Sequence, residues 1–471
     1  MIEILSALAS LAVSLLVGMA VCAPFLRNHA SDCSYGYFLS LSFGVGIGVL
    51  SQLQLAWTVL NLHGQWRWSL DLVSAGIAAA LFLRHRDWAL PRTRPGSAGR
   101  STMPAMHKLA YGWAVAVFAA SMFLVLRQGY ALPYGTADAV TNWYPKARFL
   151  FFSEAGQWLN LFYRDLPHWM HADYPLLLPL SLVRGWSYMG DVNYIYPIVL
   201  HAASLFATLG LLYFTLDRLH GPLVAAMGLT FFAAMPAVYY FISLQYADSF
   251  FLYSITAAAT LIALAVSGAG GAPSCLPLLG LACGFAAWTK NEGWLLLVSV
   301  CGAFALAWLF RRRTIGELAR LATGAVAGAA VPLAYKVLYA PANDIVNAST
   351  ISDLFSLSRL ASRVTALLSK APATLFDLQL WYITPVALLI IVLLGVNKFV
   401  PRLVANAELV LTLLILVAGY FAALLLIPKD YDYEWFLRFS LHRILFQMFP
   451  AMILLAMLLG FGRTQERARP A

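Results

Sequence analysis

Charge is scarce in this chain. Only 11% of its 471 residues are Asp, Glu, Lys or Arg, while 61% are hydrophobic, whereas soluble domains carry about 25% charged residues. This excludes an ordinary soluble domain and predicts an integral membrane protein embedded in a lipid bilayer. The positive excess, 31 Lys and Arg against 21 Asp and Glu, is of the kind that orients a polytopic protein through basic cytoplasmic loops. No nucleic-acid-binding pattern accompanies it, so nucleic acid is not an expected partner. Cysteine is also sparse. Cys22, Cys33, Cys275, Cys283 and Cys301 form no CxxC pair, and four of them lie in apolar runs, where a thiol acts as a small hydrophobe. Neither a disulfide framework nor a cysteine metal site is supported. Phosphate-binding glycine loops, Rossmann glycines and HExxH are absent, which leaves cytoplasmic nucleotide chemistry without a seat. The N-terminal apolar run lacks the positive flank of a signal peptide and carries Glu3, so it reads as a retained first helix.

What the chain does have is a succession of apolar runs near the roughly 20 residues that span a bilayer. Thirteen spans are predicted, at 4–26, 37–61, 68–84, 108–127, 193–216, 221–242, 249–267, 275–289, 293–310, 320–339, 376–396, 405–427 and 443–462. The pair around Lys290 also reads as one broken span. Basic residues at 84–100, at 311–313, at Lys398 and Arg402, and in the tail after 462 fall on one side of this topology, the cytoplasmic one. The 129–191 loop, the Tyr246-Ala247-Asp248 turn, the Lys290-Asn291-Glu292 break, and the 340–375 and 428–442 segments then share the external side. The expected organisation is a three-helix N-terminal extension with a cytoplasmic loop (1–107), a transmembrane module (108–462) and a cytoplasmic tail (463–471). A bacterial inner membrane is the expected location.

The 129–191 loop is far longer than a connection needs, and loops of this kind carry function. Asp138 in GTADAVTNWYPKARFL has two readings: a general base beside the phosphate-binding cations Lys146 and Arg148, or a helix cap with cations on lipid headgroups. The run from Lys146 to Phe152 is expected to lie on the membrane interface, anchored by Trp143, Tyr144, Phe149 and Phe151. His168, His171, Asp173 and Tyr174 read as a polar substrate rim in preference to a metal site, because their spacing shares no helical face. Asp248 sits at the external end of a span. Lys290 and Glu292 interrupt an apolar region, and ionisable groups at membrane depth are functional candidates. His442 and Arg443 are expected at the start of the last span. An Arg there opposes the helix dipole and calls for an anionic partner, Asp248 or a ligand phosphate.

The order of these motifs, DAxxxWxxKAR (Asp138 to Arg148), DYPLLLP (Asp173 to Pro179), TKNEG (Thr289 to Gly293) and SxxR with a later Pro (Ser440, Arg443, Pro450), resembles the GT-C membrane glycosyltransferases. Within them it resembles bacterial relatives of the protein O-mannosyltransferase and aminoarabinose transferase branch. The resemblance covers about residues 108–462. It implies an all-α polytopic GT-C fold, a polyprenyl-phosphate sugar as donor, an extracytoplasmic glycan, lipid or protein as acceptor, and inverting transfer. It further implies Asp138 as first-loop catalytic acid, Asp248 as second acidic site, and Lys290, Arg443 and Lys146 or Arg148 on the donor phosphate. Two features depart from the branch: Ala139 replaces a second adjacent acid, and Asp173-Tyr174-Pro175-Leu176 replaces a lysine-containing KPPL-like motif. No fixed cofactor is implied, and a divalent cation, Mg or Mn, stays open because other members of the superfold use one. Two competing classes are a flippase for a lipid-linked saccharide and an O-antigen polymerase or ligase.

Overall fold

A computed structural model describes residues 2–26, 34–60, 62, 68–84, 104–153, 157, 170–267, 274–343, 348–353, 356–428 and 432–462. Among these residues the secondary structure is helical throughout, without strands. The long helices are α1 (Ile2–Leu26), α2 (Tyr35–Val59), α3 (Ser69–Arg84), α4 (Ala105–Ala131), α5 (Tyr144–Phe152), α6 (Leu177–Met189), α7 (Ile195–His220), α8 (Pro222–Ala233), α9 (Pro236–Ser243), α10 (Asp248–Val266), α11 (Leu276–Thr289), α12 (Glu292–Leu309), α13 (Ile315–Leu338), α14 (Leu357–Leu375), α15 (Thr384–Leu394), α16 (Ala407–Leu425) and α17 (Tyr433–Phe461).

Each predicted apolar stretch coincides with helix, but the count of thirteen spans is corrected. Nine helices among the described residues are long and apolar enough to cross a membrane, or up to eleven if each of two bent pairs is one span. At 1.5 Å per residue, α11 reaches about 21 Å and α3 about 24 Å, short of a hydrocarbon core of about 30 Å. The bends have local causes. Pro236 opens α9 and holds Met235 in an extended conformation, so α8 and α9 meet at 58°, as the restriction before proline requires. Tyr382 takes a left-handed φ of 50°, and the chain turns by 108° into α15.

That second bend reveals an element the apolar count missed. Arg363, Leu367 and Thr374 mark the buried stripe of α14, whereas Leu357 and Leu368 are exposed, an amphipathic pattern at helical spacing. Arg363 donates to the carbonyls of Leu425 (2.6 Å) and Ile427 (2.5 Å), the orphan acceptors that end α16. The expected interfacial anchors on 146–152 are corrected in turn. Trp143, Tyr144 and Phe151 are buried in the core, and only Phe149 of the four is exposed.

The packing that positions the polar residues rests on small side chains. A Cβ on Gly280 would come within 2.2 Å of the Leu321 carbonyl, and one on Gly324 within 1.9 Å of the Pro277 carbonyl. Together with Gly284 and Gly328, they bring α11 and α13 into backbone contact through facing small-xxx-small stripes. Gly293 similarly folds α12 back onto Ala286 of α11, where a Cβ would meet the carbonyl at 1.9 Å. The Lys290 turn is therefore the tip of a helical hairpin.

Charged groups gather at the two ends of the bundle. At one end Arg313 pairs with Glu408 (3.0 Å) and Glu317 (2.9 Å), and Arg402 donates to the carbonyls of Leu459 and Gly460, both at 2.7 Å. These are the cations expected on a common side. Asp138, Asp173, Asp248, Lys290 and Arg443 meet at the other end.

Candidate functional site

Asp248 is the first residue of α10 and is buried. A lone carboxylate there is costly, and it is retained because every oxygen is bonded. Lys290 Nζ lies 3.1 Å from Oδ1, and the Gln447 amide also donates to Oδ1. Arg443 grips Oδ2 with one edge of its guanidinium, through Nη2 at 2.6 Å and Nε at 3.1 Å. This leaves Nη1 of Arg443 to reach Asp138 Oδ2 at 2.8 Å. One guanidinium thus joins the two acids that the sequence places 110 positions apart.

The two acids differ in environment. The Asp248 side chain is 2% exposed and that of Asp138 is 38% exposed. Asp138 precedes a π-helical turn, Ala139–Trp143, and makes no side-chain capping bond to it, so the capping reading does not describe it. Its backbone N–H donates to the Tyr246 hydroxyl at 3.3 Å, which also bonds Thr136 at 2.7 Å. The Tyr246 ring underlies the Arg443 guanidinium, 4.8 Å from ring centre to carbon, a cation–π contact. Burial pushes the Tyr246 phenol above its usual range.

Arg443 is not at a helix start. Asp432 caps α17 by accepting from the N–H groups of Glu434 and Trp435, which begins the helix ten residues before the expected 443. Arg443 therefore lies nearly three turns inside. Its charge is held by the two carboxylates and owes nothing to the dipole of an end.

Lys290 sits at the hairpin tip with Glu292 as second partner at 3.0 Å. Burial opposes its charge, but Asp248 and Glu292 outweigh that and hold the ammonium above the usual lysine range. Beneath the pair, Tyr420 donates to the Gln447 carbonyl oxygen at 2.8 Å, so Gln447 is fixed from both ends.

A second cluster adjoins the first. The buried Lys146 donates to the His171 carbonyl at 2.6 Å and lies 5.5 Å from the Trp143 ring and 5.9 Å from that of Tyr174. His171 has a left-handed φ of 42°. Buried Asp173 accepts from Asn291 (2.6 Å) and Asn343 (2.9 Å), with Lys336 at 3.7 Å. It pins the first loop to the Lys290 turn and to the end of α13. Two expected residues stand elsewhere: Arg148 is exposed on α5, and His442 stacks on Trp381 with Nε2 3.2 Å from Asp377. His168 lies outside the described residues.

Sequence reasoning did not single out Gln447, Tyr420, Asn343 or Lys336, and it named Asn291 only as part of the Lys290 break. Gln447 had a signal, since it follows Arg443 by four and shares its helical face. A divalent cation does not fit the donor set. Arg443 already occupies the place between the two carboxylates, and no group of three or more His, Cys, Asp or Glu able to hold a metal exists among the described residues.

The class defined by these helices is an all-helical, multi-pass membrane protein. No protein-family model, curated protein or solved structure matches the chain.

Proposed function

We propose that this protein is a membrane glycosyltransferase of GT-C type. It transfers a sugar, with inversion, from a polyprenyl-phosphate carrier to a hydroxyl of an extracytoplasmic glycan, lipid or protein. The observation that carries the reading is the Asp138–Arg443–Asp248–Lys290 chain at one end of the bundle. It supplies an accessible carboxylate beside cations held at the head of a membrane helix. In the reaction the acceptor oxygen bonds the anomeric carbon as the bond from that carbon to the phosphate oxygen breaks. The electron pair leaves on the prenyl phosphate, and the acceptor proton passes to Asp138. Arg443 stabilises the charge gathering on the leaving phosphate, with Lys290 behind it. Asp248 is a positioning residue: buried and fully bonded, it aims both cations. Arg313 and Arg402 at the opposite end of the bundle support a site on the outer side of the membrane, and a bacterial inner membrane is the location proposed.

A flippase for a lipid-linked saccharide is the second reading, favoured by the two bent helix pairs, since transporters use interrupted helices. One experiment separates them. Purified protein in proteoliposomes is given a polyprenyl-phosphate sugar labelled in the sugar, with and without cell-envelope acceptors. Transfer of label, lost by at least 100-fold in Asp138→Asn, is the expected result. Movement of intact donor across the bilayer without bond cleavage establishes the flippase instead.

A further inference from the structure

Asp138 and Arg443 stand closer together than inverting transfer across a sugar allows. Acceptor and leaving oxygens must lie on opposite faces of the anomeric carbon, and in inverting glycoside hydrolases, which meet the same requirement, the two carboxyl groups stand about 6.5–9.5 Å apart. Asp138 and Arg443 are 2.8 Å apart, with no room for a sugar between the base and the cation of the leaving group. The same pair marks how the site opens. Lys290 is buried between Asp248 and Glu292, and Arg443 Nε and Nη2 are committed to Asp248. Nη1 is the edge of the cation pair that faces the more exposed acid. Asp248 and the Tyr246 ring hold the guanidinium through contacts that do not involve Asp138. An incoming anion then meets a preorganised cation and must displace one carboxylate oxygen.

We propose that Asp138 is the resident counter-ion of the donor-phosphate site: the prenyl-linked phosphate takes its place on Arg443 Nη1 and thereby releases Asp138 to act as base. The inference rests on the glycosyltransferase reading and adds an order to it, donor before acceptor. While Asp138 Oδ2 stays on Arg443 Nη1, the carboxylate and the sugar of the donor compete for the same space, so the acceptor is engaged only after the phosphate is seated.

The consequence runs against ordinary expectation for a catalytic residue, because removing it strengthens donor binding. Farnesyl phosphate, with farnesol as neutral control, is titrated into the full chain in nanodiscs. Asp138→Asn and Asp138→Ala are compared with wild type, and thermal unfolding checks that each variant is folded. A competing, partly exposed ion pair is worth up to about 1 kcal/mol, so both variants are expected to bind farnesyl phosphate more tightly, by up to about fivefold, while binding farnesol unchanged. Equal or weaker binding of farnesyl phosphate by both variants overturns the counter-ion inference and leaves the glycosyltransferase reading standing. If wild type and both variants do not prefer the phosphate over the alcohol, the phosphate site itself is refuted and the inference falls with it.

Discussion

Asp248→Asn isolates the buried half of the charge chain. The substitution keeps shape and one acceptor oxygen but removes the charge that faces Lys290 and Arg443. Breaking a buried pair from one side costs about 3–5 kcal/mol, since the remaining ion is left uncompensated in low dielectric. Each cation here keeps a second carboxylate, Glu292 for Lys290 and Asp138 for Arg443, so the loss belongs at the lower end, about 3 kcal/mol. Adding Lys290→Met removes an ammonium that Asp248→Asn has left with Glu292 as its partner, so the double variant is expected to lose about 1–2 kcal/mol less than the sum of the singles. Thermal unfolding in nanodiscs, read as a double-mutant cycle, measures both. Asp138→Asn serves as the exposed contrast and is expected to change stability by about 1 kcal/mol or less. An unchanged midpoint in Asp248→Asn, or a double variant that loses as much as the sum of the singles, refutes the view that Asp248 is the buried seat of the cations.

Two further substitutions test the joints around the site. Asp173→Ala removes the acceptor shared by Asn291 and Asn343 and is expected to cost about 1–3 kcal/mol locally; faster hydrogen exchange at 170–176 and 290–293 is the readout, and unaltered exchange contradicts the latch. In the second joint, buried Arg184 of α6 lies 2.8 Å from Asp71 of α3 and donates to Ser14 at 2.6 Å, while Tyr188 holds the same Asp71 oxygen at 2.7 Å. Arg184→Met is expected to lose about 3–5 kcal/mol in thermal unfolding, and Arg184→Met with Asp71→Asn to recover most of it.

That second joint bears on what the sequence could disclose. Separating residues 1–107 as an extension follows from a loop-like composition after α3, and composition is blind to a single buried arginine from 129–191 that ties α1, α3 and α6 together. Spans were legible because apolar length is a one-dimensional property. Their number was not, because crossing depends on bends at Pro236 and Tyr382 and on whether a 14-residue helix such as α11 is carried by a partner. The facing glycines of α11 and α13 were readable as a pattern, though only the structure pairs them. The amphipathic stripe of α14 was hidden by its low overall hydropathy, and aromatic residues drew the interfacial assignment to 146–152, where they fill the core instead.

For the site, the sequence exposed each charge and withheld the division of labour. Asp138 and Asp248 look alike as acids at the ends of apolar runs. Burial makes them different: one is enclosed by Lys290, Arg443 and Gln447, while the other touches the same arginine from the solvent side. A carboxylate wrapped by permanent cations is a poor proton acceptor and a good anchor. One with a single exchangeable partner can change roles when an anion competes for that partner. The difference between the two acids follows from Arg443 lying inside α17, where one edge of the guanidinium faces buried Asp248 and the other faces the more exposed Asp138. Sequence position alone assigned it to a helix entrance, and the cap at Asp432 moved it inward.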